Sequence, residues 1–251
     1  MRAALVKVAN LGIDQVRANL DAFPIWVRKA SVDDGDLPAS DRNLGIILTL
    51  DQGARYLCRG INARYAYDYF QQIPIHTIRY VTDAGMARLR DWEAAGVDKD
   101  QAMVRALVML GVLARSEDPS DHEHYLRIVE ALRKEYERLT HTHDPYRSSS
   151  SHDIQDVELY GRILEEGPPQ WEGVHMTDVI YWLMRVFVSH IAHIRYFGRS
   201  PFRNIAVGRL DTDEEVQWLS KVGVHRTQED EKTRDAIKQD MEQGIWRPLQ
   251  L

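Results

Sequence analysis

Three short stretches of the chain concentrate residue types that can hold an anion or move a proton. The first is LDQGARYLCRGINARYAYD, residues 50–68. On a helix, Asp51 and Arg55 lie one turn apart, Arg59 follows a turn later, and Gly60 can end the helix. Such a line of charges either ties helix ends together or grips an anionic group through the planar guanidinium fork. The second is ARSEDPSDHEH, residues 114–124. Ser116 and Asp118 suit helix caps, and Glu117, Asp121 and Glu123 place negative charge where the dipole of the next helix favours it. The third is SHIAHIRYFGRSPFRNIAVGRLDTDEE, residues 189–215, where His190 precedes a helix stop at Gly198 and Arg199, Arg203 and Arg209 follow. Three arginines around two helix termini can form an anion pocket with free backbone N–H groups. They can equally satisfy helix-end carbonyls and the carboxylates of the other two blocks.

Two functions fit this inventory. In one, a small-molecule-binding protein or cofactor-independent enzyme uses Asp51, Arg55, Arg59, Arg199, Arg203 and Arg209 to hold an anionic or carbonyl-bearing metabolite. Glu117, Asp118 and His190 would then transfer protons, since burial beside arginine tunes such groups. In the other, a non-catalytic helical interaction module buries the same charges as a structural network and binds its partner elsewhere. Three separate charged blocks incline the sequence toward the first. No metal is expected, because His122 lacks the second histidine of an HExxH pair and Cys58 is the single cysteine. No cofactor is expected either, because GxGxxG, GxxxxGK[ST] and GxSxG are missing from the sequence.

The elements that must position these residues all have helical period. A helix is expected over Ile13–Ala30, divided near Pro24, and a loop over SVDDGDLPASD. A buried helix runs from Leu44 to Leu57, weakened at Gly53. Tyr65, Tyr69 and Phe70 share a face, and Pro74 starts or kinks the next segment. Ala102, Ala106, Leu107, Leu110 and Leu113 trace an apolar stripe over Asp100–Ala114. Tyr125, Ile128, Leu132 and Tyr136 trace another over Asp121–Leu139, with Glu130 and Lys134 paired outside. THTHDPYRSSSSHD, about residues 140–153, is an insertion or a lid. Helices over Ile154–Glu165 and Thr177–Phe197 flank the breaker EGPPQWEG. At TDEE, Thr212 can cap a last helix, with Glu215 completing the box. The spacing predicts one all-α domain over residues 1–251, an antiparallel helical bundle or a short solenoid.

Composition bounds the class. The chain has 251 residues, 44% of them hydrophobic and 28% charged, enough for one sizeable core. A net charge of −6 gives no general reason to expect nucleic acid. The runs GIILTL and VIYWLMRVFV are too short, or too interrupted, to span a membrane. The start MRAALVKVANLGIDQV lacks the pattern of an export signal, so a cytoplasmic protein is expected. Oligomeric state is left open.

The three blocks, taken in order, resemble the bacterial and fungal family catalogued as domain of unknown function 924. Its members share LDQFPRN, HSED and FGRFPHRN…GR…T…EE segments. The equivalents here are LDQGARY with Arg59, Gly60 and Asp68; RSED at 115–118; and His190 with FGRSPFRN at 197–204, Gly208, Arg209, Thr212, Glu214 and Glu215. The resemblance covers about residues 15–220 and implies an all-helical, tetratricopeptide-like fold without a general reaction. Departures fall at chemically meaningful places. Gly53, Ala54 and Tyr56 replace Phe, Pro and Asn, Arg115 and Phe202 replace histidines, and Ala192 replaces an aspartate. The usual opening block with WF is missing.

Overall fold

The computed structural model describes residues 1–18, 39–83, 96–170, 173–222 and 230–251. In chain order its α-helices are α1 (Arg2–Ala9), α2 (Ile13–Ala18), α3 (Ala39–Ile47), α4 (Ala54–Leu57), α5 (Gln72–Asp83), α6 (Lys99–Ala114), α7 (Pro119–Thr140), α8 (Ser150–Asp153), α9 (Leu159–Glu166), α10 (Met176–Phe197), α11 (Asp213–Val222) and α12 (Glu231–Glu242). Strands do not occur among the described residues, so the chain is all-α. The part of the first expected helix beyond Ala18, Pro24 included, and residues 31–38 of the expected SVDDGDLPASD loop lie outside the described residues, while the last three residues of that loop, 39–41, are helical and open α3.

Contacts divide the chain into two units. The first comprises Met1–Tyr80, Phe202–Glu214 and Val224–Leu251. Here the helix expected over Leu44–Leu57 begins earlier, at Ala39, and is interrupted. Leu48–Gly53, the LDQ segment itself, is π-helical, and a second π-helical stretch spans Tyr65–Phe70. Each π stretch adds residues to a turn and rotates the face that follows, a device frequent at functional sites. Gly53 sits inside the first stretch; a Cβ there would lie 2.5 Å from the Met1 sulfur and 3.2 Å from the Leu48 carbonyl oxygen. Pro74 falls in the first turn of α5, where its missing N–H is harmless. Leu5, Val16, Leu50, Tyr65, Tyr69, Phe70 and Ile73 form the core of this unit.

The second unit comprises Val81–Pro201 and Glu215–Gly223. Its centre is α6, capped by Asp98, whose carboxylate accepts the N–H groups of Asp100 at 2.9 Å and Gln101 at 3.3 Å. The expected stripe is buried, but so is everything from Met109 to Ala114, because α7 packs on one side of α6 and α10 on another. An amphipathic pattern thus belongs to a helix that is covered all round in its second half. Four residues, 115–118, turn α6 back into α7. Residues 154–158 form turns and the expected helix begins only at Leu159. Asp156 explains the delay, since its carboxylate accepts the Glu158 N–H at 3.1 Å in a local turn that competes with helix.

The segment read as an insertion or lid is pinned to this unit. Arg147 bonds Glu130 at 2.8 Å and Glu137 at 2.6 Å, and the Asp144 N–H bonds Glu137 at 2.9 Å. Burial pushes the Glu137 carboxyl up, but the hydrogen bonds from Asp144 and Arg147 outweigh it and leave the group below its ordinary value. Arg133 reaches Asp144 at 3.0 Å and Arg185 reaches Asp153 at 3.1 Å, which fixes both ends of the segment on α7 and α10.

Candidate functional site

The RSED block is the turn between α6 and α7. Asp118 is the N-cap of α7: its carboxylate accepts the Ser120 N–H at 2.9 Å and the Ser120 hydroxyl at 2.8 Å, with Pro119 in the first helical position. The Ser116 hydroxyl accepts the Asp118 N–H at 3.1 Å. The His122 Nε2–H donates to the Ser116 carbonyl at 2.7 Å, since a carbonyl can only accept, and so crosses the turn. Burial lowers the His122 pKa, with Arg195 adding to the effect against the hydrogen bond to Ser116 and the charges of Asp121 and Asp118. Arg115 is buried with its guanidinium 5.5 Å from the centre of the Phe187 ring.

Glu117 links this turn to the end of α10. Its carboxylate accepts the Ser200 N–H at 2.9 Å, just beyond the left-handed Gly198 that stops α10. The adjacent Arg199 donates from Nε and Nη2 to the two oxygens of Glu215, each at 2.7 Å. Glu215 is 1% exposed and stands in the first turn of α11. The residue expected to complete a capping box thus places both carboxylate oxygens on an arginine fork. Beside this pair runs a ladder of rings. His190 lies 4.9 Å from Tyr160 and 5.6 Å from His193, and His193 lies 4.9 Å from Trp218. His193 is wholly buried, its Nδ1–H donating to the Ser189 carbonyl at 3.0 Å. Trp218 donates to the Val157 carbonyl at 2.9 Å.

The second unit therefore holds Glu117, Asp118, His190 and Arg199 of the expected site, with Glu117 and Arg199 gathered at the end of α10. His193, Tyr160 and Trp218 were missed by the sequence reading. The spacing of His190 and His193, three apart on one helix, was the available signal for the first of these.

Asp51, Arg55, Arg59, Arg203 and Arg209 belong to the first unit. Arg55 bonds the buried Asp51 carboxylate at 2.6 Å and its carbonyl at 3.2 Å, and Gln52 shares the same carboxylate at 3.0 Å. Arg59 does not continue this face. The helix ends at Leu57, Cys58 and Arg59 are extended, and Gly60 at φ +58° opens a short 3₁₀ turn, leaving Arg59 exposed. Arg203 is buried, 5.9 Å from the centre of the Tyr67 ring. The Arg209 N–H closes a turn on the Asn204 carbonyl at 2.7 Å, and the Asn204 side chain donates to Asp211 at 2.9 Å.

The model of the bacterial protein of unknown function (DUF924) family matches residues 17–223. The chain belongs to that family. The three charged blocks fall inside the DUF924 match, and α12 with the segment after it falls outside. No curated protein and no solved structure matches the chain. Among the described residues no group of three or more His, Cys, Asp or Glu is placed to hold a metal ion, and no helix is long and apolar enough to cross a membrane.

Proposed function

We propose that the charged blocks are a buried structural network and that the chain works as a non-catalytic helical interaction module. The observation that carries this reading is the Arg199–Glu215 pair. Both donor arms used are matched to both oxygens of a carboxylate that is almost fully removed from water. A guanidinium so engaged has its best geometry directed at the protein's own chain and not at a ligand. Asp118 is similarly committed to a cap, and Glu117 to the Ser200 N–H.

Arg199→Lys keeps the charge but loses the fork, and Glu215→Gln keeps the shape but loses the charge. Each is expected to lower stability by about 1–3 kcal/mol, with the double variant costing less than the sum of the two. Urea unfolding of the four proteins measures this cycle. Unchanged urea midpoints in both single variants would overturn the structural reading.

One observation favours a second reading. His190 is half-buried rather than sealed, and it lies in the same unit as Glu117 and Arg199. In that reading the site holds an anionic or carbonyl-bearing metabolite, with His190 moving a proton. Its signature is a metabolite that raises the melting temperature of the natural protein but not of His190→Ala, when the two melt alike without ligand.

A further inference from the structure

After α12 the chain runs from Gly244 to Leu251 without regular structure, yet it is held like a bound peptide. Gly244, at φ +68°, closes the helix, and the Ile245 N–H returns to the Asp240 carbonyl at 2.8 Å. From there three side chains of the first unit read the main chain by its carbonyls. Arg64 donates to Ile245 at 2.8 Å, Tyr65 to Arg247 at 2.7 Å and Asn62 to Gln250 at 2.8 Å. Two side chains anchor the segment. Trp246 packs 4.9 Å from Tyr65 and 5.2 Å from Tyr69 under the Arg64 guanidinium, 3.8 Å away, and Leu249 is buried in the core cluster. Arg247 makes a two-armed bond to Asp240 at 2.6 and 3.0 Å. The receiving residues lie inside the family match and the segment they hold lies outside it.

We infer that Asn62, Arg64, Tyr65 and Tyr69 form a groove for an extended peptide, that Ile245–Leu251 is its built-in occupant, and that the groove's partner is a segment carrying Trp and Leu three residues apart with a basic residue between. Side-chain donors on backbone carbonyls supply affinity without regard to sequence, and the Trp and Leu sites supply selectivity, the division of labour seen in peptide-binding grooves. Asp240 beside the groove selects the basic residue. The inference rests on the interaction-module reading and names its partner chemistry. The chain's own segment, tethered through α12 at millimolar effective concentration, masks the groove until a stronger competitor arrives.

The test uses the full chain and a dye-labelled Ile245–Leu251 heptapeptide. In the Trp246→Ala/Leu249→Ala variant the segment loses its anchors and the groove opens. The peptide is expected to bind this variant with Kd below about 100 μM and the natural protein at least about tenfold more weakly, since the tether competes. Asn62→Ala added to the opened variant should weaken the peptide roughly fivefold. An opened variant that keeps the natural circular dichroism spectrum but takes up no peptide would sink the inference. Should the opened variant fail to fold, a protease site inserted between Gln243 and Gly244 of the otherwise natural chain gives the same answer. After cutting, excess labelled peptide is expected to displace the fragment, and a fragment that exchanges only on unfolding overturns the proposal. A concentration-dependent dimer of the natural protein that Trp246→Ala abolishes would assign the groove to a second copy and overturn the partner proposed. None of these readouts depends on Arg199 or Glu215, so the unfolding cycle and the peptide assay fail separately.

Discussion

His122 shows how one side chain can carry a pH dependence through a turn. Its Nε2–H is held by the Ser116 carbonyl, its Nδ1 is buried without a hydrogen-bond partner among the described residues, and burial favours the neutral ring. The sign follows from linkage. The folded pKa lies below the ordinary 6.5, so the unfolded chain binds the proton more readily. The contribution of His122 is therefore fully present above 6.5 and is lost as pH falls from there through the lowered folded value. Urea unfolding at pH about 7.5 and about 5.5 is expected to show a loss of stability on acidification. His122→Gln, which can keep a donor near Ser116 but does not titrate, should flatten that slope. An equal slope in both proteins would remove His122 as its source.

At the scale of elements, the Gly208 turn approaches the backbone of α12 closely. Gly208 has φ +65°, and a Cβ there would lie 2.8 Å from the Lys238 Cα and 2.9 Å from its nitrogen. Both atoms are backbone, so no side-chain rotation relieves the contact. Gly208→Ala combines a left-handed backbone penalty with overpacking and is expected to cost about 2–4 kcal/mol, read as a lower unfolding midpoint. Gly244→Ala is the informative comparison. It has the same sign of φ but nothing within 4 Å of the added Cβ, so it should cost less. Equal losses would show that backbone conformation alone, and not the approach of α12, fixes residue 208.

Across the whole molecule, burial predicts where the backbone opens last. In the second unit α6 is covered by α7 and α10, and ten of its residues are buried. Its amides from Met109 to Ala114 should be the slowest-exchanging of that unit in hydrogen exchange, since they open only when its packing is lost. The first residues of α10, with Met176 exposed, should exchange sooner. Faster exchange at Met109–Ala114 than at Met176–Asp178 would contradict this order.

Period and caps made much of the architecture legible in the sequence. Asp98 was not singled out, but the stripe from Ala102 to Leu113 defined α6 within a residue of its observed start, and Asp118 caps α7 as expected, whereas Ser116 accepts the Asp118 N–H inside the turn and caps neither helix. Helical period is a local property, written in residues three and four apart, so it survives without knowledge of the rest of the chain. The block order likewise sufficed to indicate the family. What the sequence could not supply were the partners. Arg199 and Glu215 are sixteen positions apart and meet only because Gly198 stops α10 and α11 returns beside it. Arg59 looked like a third member of the Asp51–Arg55 face, but extended backbone at Cys58 broke the period first. Residues 154–158 were read as helix because their pattern is helical, while an Asp156 turn competed for the same backbone. The grip of Asn62, Arg64 and Tyr65 on residues 245–250 was invisible for a different reason. Those side chains bond carbonyl oxygens, which every residue carries, so no side-chain pattern marks the contact and only tertiary structure determines it.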